Sequence, residues 1–149
     1  MMSMPTIRLR RTLLTAALAW AAAAPLAATA AETVAFSATL SGAAEVPVNV
    51  SPATGSLEAM LDKGTNELTW KVTFNGLSGP ATMAHFHGPA MPGANAGVAL
   101  PFASAVSPVE GKATLTAEQV ADLMAGKWYA NVHTAAHPGG EIRGQLMAK

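Results

Sequence analysis

The 149-residue sequence contains no cysteine, only 12% charged residues and only 5% aromatic residues. Without cysteine, the chain forms no disulfide and has no thiolate for catalysis or for metal binding. The charged fraction is about half of the roughly 25% typical of soluble domains, which indicates either a membrane protein or an average shifted by one segment. The length is that of one domain with room for a removable segment.

The first part of the sequence accounts for much of this low charge. Three arginines between residues 8 and 11 precede an apolar stretch that ends at residue 27, and residues 28–30 read Ala-Thr-Ala, a pattern that signal peptidases accept. We therefore predict a cleaved signal peptide over residues 1–30 and a mature domain over residues 31–149. The apolar stretch is shorter than the roughly 20 residues that span a bilayer, so we expect no membrane insertion after cleavage. The arginine pair leaves the choice between general secretion and twin-arginine export open.

Loss of this leader changes the charge of the chain. The three arginines leave and no acidic residue does, so residues 31–149 carry six basic and nine acidic side chains, a net charge of −3. The remaining basic residues are scattered, so we expect neither a nucleic acid nor an anionic membrane surface as a partner. These properties predict a periplasmic or secreted protein.

Glycine and proline divide the mature segment into short pieces. All 13 glycines lie there, and the apolar runs between turn residues are short, which is typical of an all-β sandwich or barrel. Residues 55–62 and 67–74 alternate apolar with polar side chains and are joined by a turn sequence, so we expect a hairpin. One helix signal is present, a capping box of Thr116 and Gln119. We predict an antiparallel β-sandwich, Greek-key and immunoglobulin-like or superoxide-dismutase-like, with one short helix.

The four histidines are the main chemical signal, since all lie between residues 85 and 137. His85 and His87 are two apart on a predicted strand, which places both rings on one face. His133 ends another predicted strand on its polar face, and His137 follows in a loop. Imidazoles without a thiolate suit zinc or copper, and Met83 beside them favours copper. We predict His85, His87 and His133 as metal ligands, with His137 and Met83 as weaker ones.

Four further side chains would share this polar face if the two histidine strands are neighbours: Tyr129, Asn131, Glu141 and Arg143. We expect them to support the ligands or the fold. Arg143 is the only arginine after the leader, and its planar guanidinium suits the clamping of two loop carbonyls or a carboxylate. Glu141 would pair with a neighbouring strand or orient a histidine ring. The alternative to a metal site is a hydrogen-bonded, structural role for the histidines.

Signatures of catalysis are missing from the sequence. No serine lies in a Gly-x-Ser-x-Gly motif, and the mature segment has only two aspartates, Asp62 and Asp122, so no serine-hydrolase triad can be assembled. We predict a protein that is not an enzyme. Oxidoreductase chemistry at a bound copper is the less favoured alternative.

Three segments of the chain resemble one known family. Residues 84–90 (Ala-His-Phe-His-Gly-Pro-Ala), residues 128–134 (Trp-Tyr-Ala-Asn-Val-His-Thr) and residues 138–146 (Pro-Gly-Gly-Glu-Ile-Arg-Gly-Gln-Leu) are similar to the CHRD domain, named for its occurrence in chordin. Residues 36–47 resemble the opening motif of the family, so the resemblance extends over residues 34–146. It implies an extracytoplasmic β-sandwich.

The resemblance implies little about activity. In chordin such domains accompany modules that bind a secreted growth factor, which makes a binding module the natural expectation. We therefore expect an exported binding module that holds copper or zinc through its histidines. The alternative is an interaction or structural module at the cell envelope, whose partner would be an unknown envelope or extracellular protein. The His-x-His strand is also similar to that of copper/zinc superoxide dismutase, but the disulfide and the zinc loop of that enzyme are missing.

Overall fold

The fold is one curled antiparallel sheet with a short helix, as seen in a computed structural model that describes residues 32–149. Its strands are β1 (Thr33–Ser41), β2 (Thr54–Asp62), β3 (Glu67–Asn75), β4 (Ala81–His87), β5 (Val98–Pro101), β6 (Val109–Thr114), β7 (Tyr129–Thr134), β8 (Ile142–Gln145) and β9 (Met147–Ala148), and its helix is α1 (Ala117–Met124). The all-β prediction with one short helix is confirmed. The predicted signal peptide, residues 1–30, lies outside the described residues.

The sheet is continuous and closes on its own core. Its strands are hydrogen-bonded in the order β5-β4-β7-β8-β1-β2-β3-β6, and β9 also pairs with β1. Strands β3 and β4 are far apart along this path, yet the rings of Trp70 on β3 and Phe86 on β4 have centroids 5.3 Å apart. The two halves of the sheet therefore face each other across one hydrophobic core, as in a sandwich, but without a break between two sheets.

The β2–β3 hairpin follows from its alternating pattern and its turn. The two strands pair over nine positions, from Thr54 with Asn75 to Asp62 with Glu67. In the turn, Asp62 Oδ1 accepts hydrogen bonds from the N–H groups of Gly64 (2.8 Å) and Thr65 (3.1 Å). The short polar side chain thus closes the turn that the sequence predicts.

Helix α1 begins at the predicted capping box. Thr116 Oγ1 accepts from the Gln119 N–H (3.2 Å), and Gln119 Oε1 accepts from the Thr116 N–H (2.9 Å). Leu123 is fully buried and fixes the helix against the core. Among residues 32–149, no helix has the length and apolar character needed to cross a membrane.

Strand β7 lies between β4 and β8 and is buried along its whole length. Ala130 and Val132 belong to the hydrophobic core, whereas the residues that alternate with them, Asn131 and His133, are buried on the other face. The loop of residues 88–97, which joins β4 to β5, packs against this second face. The predicted proximity of the two histidine strands is therefore a direct pairing of β4 with β7.

Candidate metal centre

The pairing of β4 with β7 brings three of the four histidines together. It places His85 opposite Asn131 and His87 opposite Tyr129. His85, His87 and His133 each offer one ring nitrogen, and these nitrogens lie within 4.8 Å of one another. Nitrogens bound tetrahedrally to one ion at about 2.0 to 2.1 Å lie roughly 3.4 Å apart, so small ring movements would close the set around zinc or copper.

Two of the three rings are oriented by backbone carbonyls. His87 Nδ1 lies 3.0 Å from the Ala96 oxygen, and His133 Nδ1 lies 2.9 Å from the Pro138 oxygen. Because a carbonyl only accepts, the hydrogen of each neutral ring is on Nδ1 and the lone pair is on Nε2. A backbone carbonyl that fixes the tautomer in this way is the usual partner of a metal-binding imidazole.

The Nε2 atom of His87 is buried and has no hydrogen-bond partner among the described residues. The side chain is only 9% exposed, and an unpaired buried polar atom costs about 1 to 3 kcal/mol. A metal ion beside this lone pair would remove that cost. The donor set, three imidazoles without a thiolate, fits zinc or copper.

The lowered pKa values of two histidines also favour metal binding at this cluster. Burial lowers the pKa of His85, and the neighbouring His133 and His87 lower it further. Burial likewise lowers the pKa of His87 and outweighs the opposite effect of its hydrogen bond to Ala96. Since only a neutral imidazole binds a metal, both shifts make these rings available as ligands at neutral pH.

Tyr129 connects His87 to Arg143 by stacking. The rings of His87 and Tyr129 are nearly parallel, with 4° between their planes and 4.9 Å between their centroids. The Arg143 Cζ atom lies 3.4 Å from the centroid of the Tyr129 ring, a cation–π contact. The Tyr129 hydroxyl accepts from the Ala96 N–H (3.1 Å), so it holds the same residue whose carbonyl orients His87.

Arg143 clamps the loop of residues 88–97 over the histidines. Its Nη1 donates to Asn95 Oδ1 (2.9 Å) and its Nη2 donates to the Ala94 carbonyl (2.6 Å). Asn95 Nδ2 in turn donates to the Val46 carbonyl (3.0 Å), which ties the loop to the segment after β1. The two-pronged geometry is one that a lysine could not reproduce.

Asn131 and Glu45 lie beside the His133 ring. Asn131 Oδ1 is 2.9 Å from His133 Nε2, and Asn131 Nδ2 and the Glu45 carboxyl group both lie next to Gly140. Glu45 is 4% exposed, and burial raises its pKa to about 7, although the Arg143 charge and hydrogen bonds from Val46 and Asn131 act to lower it. Glu45 is not among the predicted site residues. A signal was available, because Glu45 is the only charged residue between Thr33 and Leu57.

Glu141 belongs to a separate buried cluster. Its Oε1 accepts from Ser51 Oγ (2.7 Å) and the Ser78 N–H (2.8 Å), and its Oε2 accepts from Ser78 Oγ (2.7 Å) and Thr134 Oγ1 (2.6 Å). Burial acts to raise the pKa of Glu141, but these hydrogen bonds outweigh it and lower the pKa to about 2. Among residues 32–149, its carboxylate makes no hydrogen bond to a histidine ring. Instead of orienting such a ring, Glu141 joins three loop and strand segments.

The two weaker ligand candidates lie at the edge of the cluster or outside it. His137 is not among the three histidines whose nitrogens converge. Its backbone closes the β7–β8 turn, where its N–H donates to the Thr134 carbonyl (3.1 Å) and its carbonyl accepts from the Gly140 N–H (3.0 Å). Met83 pairs with His133 across the strands and is 48% exposed, so it stands at the solvent side of the cluster.

Comparison with known proteins yields one match. The family model described as the CHRD domain matches residues 36–146, most of the chain. No curated protein and no solved structure matches this chain. CHRD domains are binding-type domains rather than catalytic ones, and they occur in secreted proteins.

Proposed function

The chain belongs to the CHRD family, and we propose that it is an exported binding module that holds copper or zinc through His85, His87 and His133. The observation that carries this proposal is the buried Nε2 of His87, which has no hydrogen-bond partner among residues 32–149 and belongs to a cluster with two further histidine rings. Residues 1–30 would be removed as a signal peptide, and residues 31–149 would act in the periplasm or outside the cell.

The surroundings of the histidines support binding rather than turnover. The Nδ1 atoms of His87 and His133 are already engaged by carbonyls, so neither ring can rotate freely and each presents one nitrogen. The Arg143 clamp and the Tyr129 stack hold the covering loop in place. A site that is oriented before the ion arrives loses little conformational entropy on binding.

Calorimetric titration of residues 31–149 with Cu(II), Cu(I) and Zn(II) tests this proposal. We expect one site with a Kd below about 10 μM, corresponding to about 7 kcal/mol of binding free energy. The double variant His85→Ala with His87→Ala is expected to lose this binding. His137→Ala is the matched control, because His137 is outside the cluster, and it should bind like the native protein. Equal affinity in the double variant, or no binding below 10 μM, would contradict a histidine-held metal.

The export proposal has its own test. Expression of the full chain in a bacterial host is expected to give a periplasmic or secreted product whose first residue is Ala31. Edman sequencing or intact mass measurement identifies that residue. A product that keeps residues 1–30 would rule out the proposed cleavage.

Exposed apolar side chains favour a second candidate, an interaction module. Val48 and Val50 are 69% and 98% exposed, and Met91, on the clamped loop, is 57% exposed. The hydrogen bond from Asn95 to Val46 joins the two segments that carry them. Exposed apolar groups of this kind suit a protein partner. A pull-down from envelope extract should lose its specific partner when Val48 and Val50 are both changed to Ser, and equal recovery by both proteins would argue against this surface.

A further inference from the structure

A fourth donor lies beside the three histidine nitrogens. Asn131 is two residues before His133 on β7, so both side chains lie on the same face, and it pairs with His85 on β4. Its side chain is 3% exposed, and its Oδ1 is 2.9 Å from His133 Nε2. An amide oxygen in this position is close enough to share an ion with that nitrogen.

The hydrogen count of the His133 ring leaves a lone pair on Nε2, beside the Asn131 oxygen. Its Nδ1 lies 2.9 Å from the Pro138 carbonyl and its Nε2 lies 2.9 Å from Asn131 Oδ1. A neutral imidazole has a single N–H, and the Pro138 carbonyl takes it. In the metal-free protein the Nε2 lone pair accepts from His85 Nδ1 at 3.2 Å, and a metal ion would take the place of that hydrogen, within reach of both the lone pair and the Asn131 oxygen.

Glu45 fixes the direction of the Asn131 amide. Asn131 Nδ2 and the Glu45 carboxyl group both lie next to Gly140, so the NH₂ group is on the Glu45 side and the oxygen faces the histidines. Gly140 makes room for this pair, because a Cβ at that position would collide with both the Glu45 carboxyl group and Asn131 Nδ2. Rotating the amide would put its oxygen against the carboxylate, so the orientation toward His133 is the favourable one.

The separation of these two donors distinguishes between the candidate metals. If Asn131 Oδ1 and His133 Nε2 keep their 2.9 Å separation, with each about 2.0 Å from one ion, they subtend an angle of roughly 90° at it, whereas tetrahedral zinc prefers about 109°. Angles near 90° and a mixed set of nitrogen and oxygen donors are typical of tetragonal Cu(II), and an amide oxygen is a poor donor for Cu(I). Of the divalent ions, Cu(II) also binds such sets more tightly than zinc.

We infer that Asn131 Oδ1 is the fourth ligand, oriented by Glu45, and that the resulting set of three nitrogens and one oxygen selects Cu(II) over zinc. This inference rests on the proposed metal-binding function. Glu45 acts as a positioning residue, since it contacts the ligand and not the ion.

Electron paramagnetic resonance of the Cu(II)-loaded protein, with calorimetry on the same samples, tests the inference. In Asn131→Ala we expect the affinity for Cu(II) to fall at least about tenfold and that for Zn(II) less than about threefold, with a shifted parallel hyperfine coupling. Asn75→Ala, at an exposed amide on β3, is the control and should behave as the native protein does. Glu45→Leu should shift the spectrum as well, whereas Glu45→Gln keeps an acceptor for the amide and should largely restore it.

Asn131→Asp keeps the test decisive if Asn131→Ala does not fold. It exchanges an amide oxygen for a carboxylate oxygen at the same position, so a ligand at this site must change the Cu(II) spectrum. A spectrum identical to that of the native protein would overturn the inference, as would an unchanged Cu(II) affinity in Asn131→Ala. If the native protein itself binds no Cu(II), the proposed function fails first, so the two failures are distinguishable.

Discussion

Two buried polar clusters meet at the end of strand β7, and they differ in how completely their hydrogen bonds are made. In the first, each carboxylate oxygen of Glu141 accepts two hydrogen bonds from the chain. In the second, the buried atoms His87 Nε2 and Glu45 Oε1 have no hydrogen-bond partner among the described residues. Both clusters lie in the same part of one sheet, so burial alone does not explain the difference.

This difference indicates a structural role for the Glu141 cluster and agrees with the proposed binding role of the histidine cluster. The Glu141 cluster needs nothing beyond the chain, and it ties the segments around Ser51 and Ser78 to β7. The histidine cluster leaves His87 Nε2 unpaired among the described residues, as the proposed metal site requires. Fully satisfied polar networks stabilise a fold, whereas incompletely satisfied ones cost stability and are typical of functional sites.

The largest expected effect comes from breaking the satisfied cluster. Glu141→Leu keeps the side-chain volume but leaves several donors, including the backbone N–H of Ser78, without an acceptor. We expect the free energy of unfolding to fall by about 3 to 5 kcal/mol. Urea denaturation at pH 7 measures it. Glu141→Gln keeps one acceptor oxygen and should cost less, and an equal stability of all three proteins would show that the cluster does not hold the fold.

Acid should weaken the same cluster without any mutation. The folded protein lowers the pKa of Glu141 to about 2 from the ordinary value of 4.5, so its ionised form stabilises the fold above about pH 4.5. This contribution should disappear as the pH falls from 4.5 toward 2. The stability difference between the native protein and Glu141→Gln is therefore expected to shrink over that range in urea titrations. A difference that stays constant would contradict the assignment of the pKa shift to Glu141.

Two neighbouring glycines, Gly139 and Gly140, allow a matched pair of variants that tests the histidine cluster. Gly140 has φ = +125°, and a Cβ there would strike the Glu45 carboxyl group and Asn131 Nδ2, whereas a Cβ on Gly139 would meet nothing within 4 Å. Gly140→Ala is expected to cost about 1 to 3 kcal/mol and to weaken metal binding, because it strains the backbone and displaces Asn131. Gly139→Ala should leave both quantities unchanged. Thermal melts and metal titrations measure the two quantities. Equal stability and equal metal affinity in the two variants would contradict a role for Gly140 in positioning Asn131.

The smallest effect on stability is expected at the unsatisfied cluster itself. His87→Phe keeps the stacking on Tyr129 and removes the unpaired Nε2, at the expense of the hydrogen bond to Ala96. These changes nearly cancel, so the metal-free protein should change in stability by less than about 1 kcal/mol. Metal affinity is expected to fall strongly in the same variant. A loss of stability as large as that of Glu141→Leu would mean that His87 is part of the fold rather than a ligand.

The sequence predicts the local structure well because local rules govern it. The β2–β3 hairpin follows from strict alternation and the turn after Asp62, and α1 follows from the Thr116 capping box. The same alternation predicts that His85 and His87 share a face. The sequence alone does not establish that these two residues lie near His133. The pairing of β4 with β7 brings the three together.

Long-range contacts are what the sequence leaves undetermined. Ser51 and Ser78 lie 90 and 63 residues from Glu141, so no spacing rule connects them, and the partner expected for Glu141 was a neighbouring strand or a histidine ring instead. Glu45 likewise lies near Asn131 only because β1, β8 and β7 are neighbours in the sheet. His137 shares a segment with His133, yet the tight β7–β8 turn places it outside the group.

The alternation along β7 means that the core and the candidate metal centre cannot change independently. Ala130 and Val132 pack into the core, while Asn131 and His133 between them face the histidines. Inserting or deleting one residue in this strand would exchange the two faces, placing polar groups in the core and apolar ones at the centre. Substitution at these four positions is therefore a more accessible route of divergence than a change in strand length, and variation in length is expected in the loops on either side of β7.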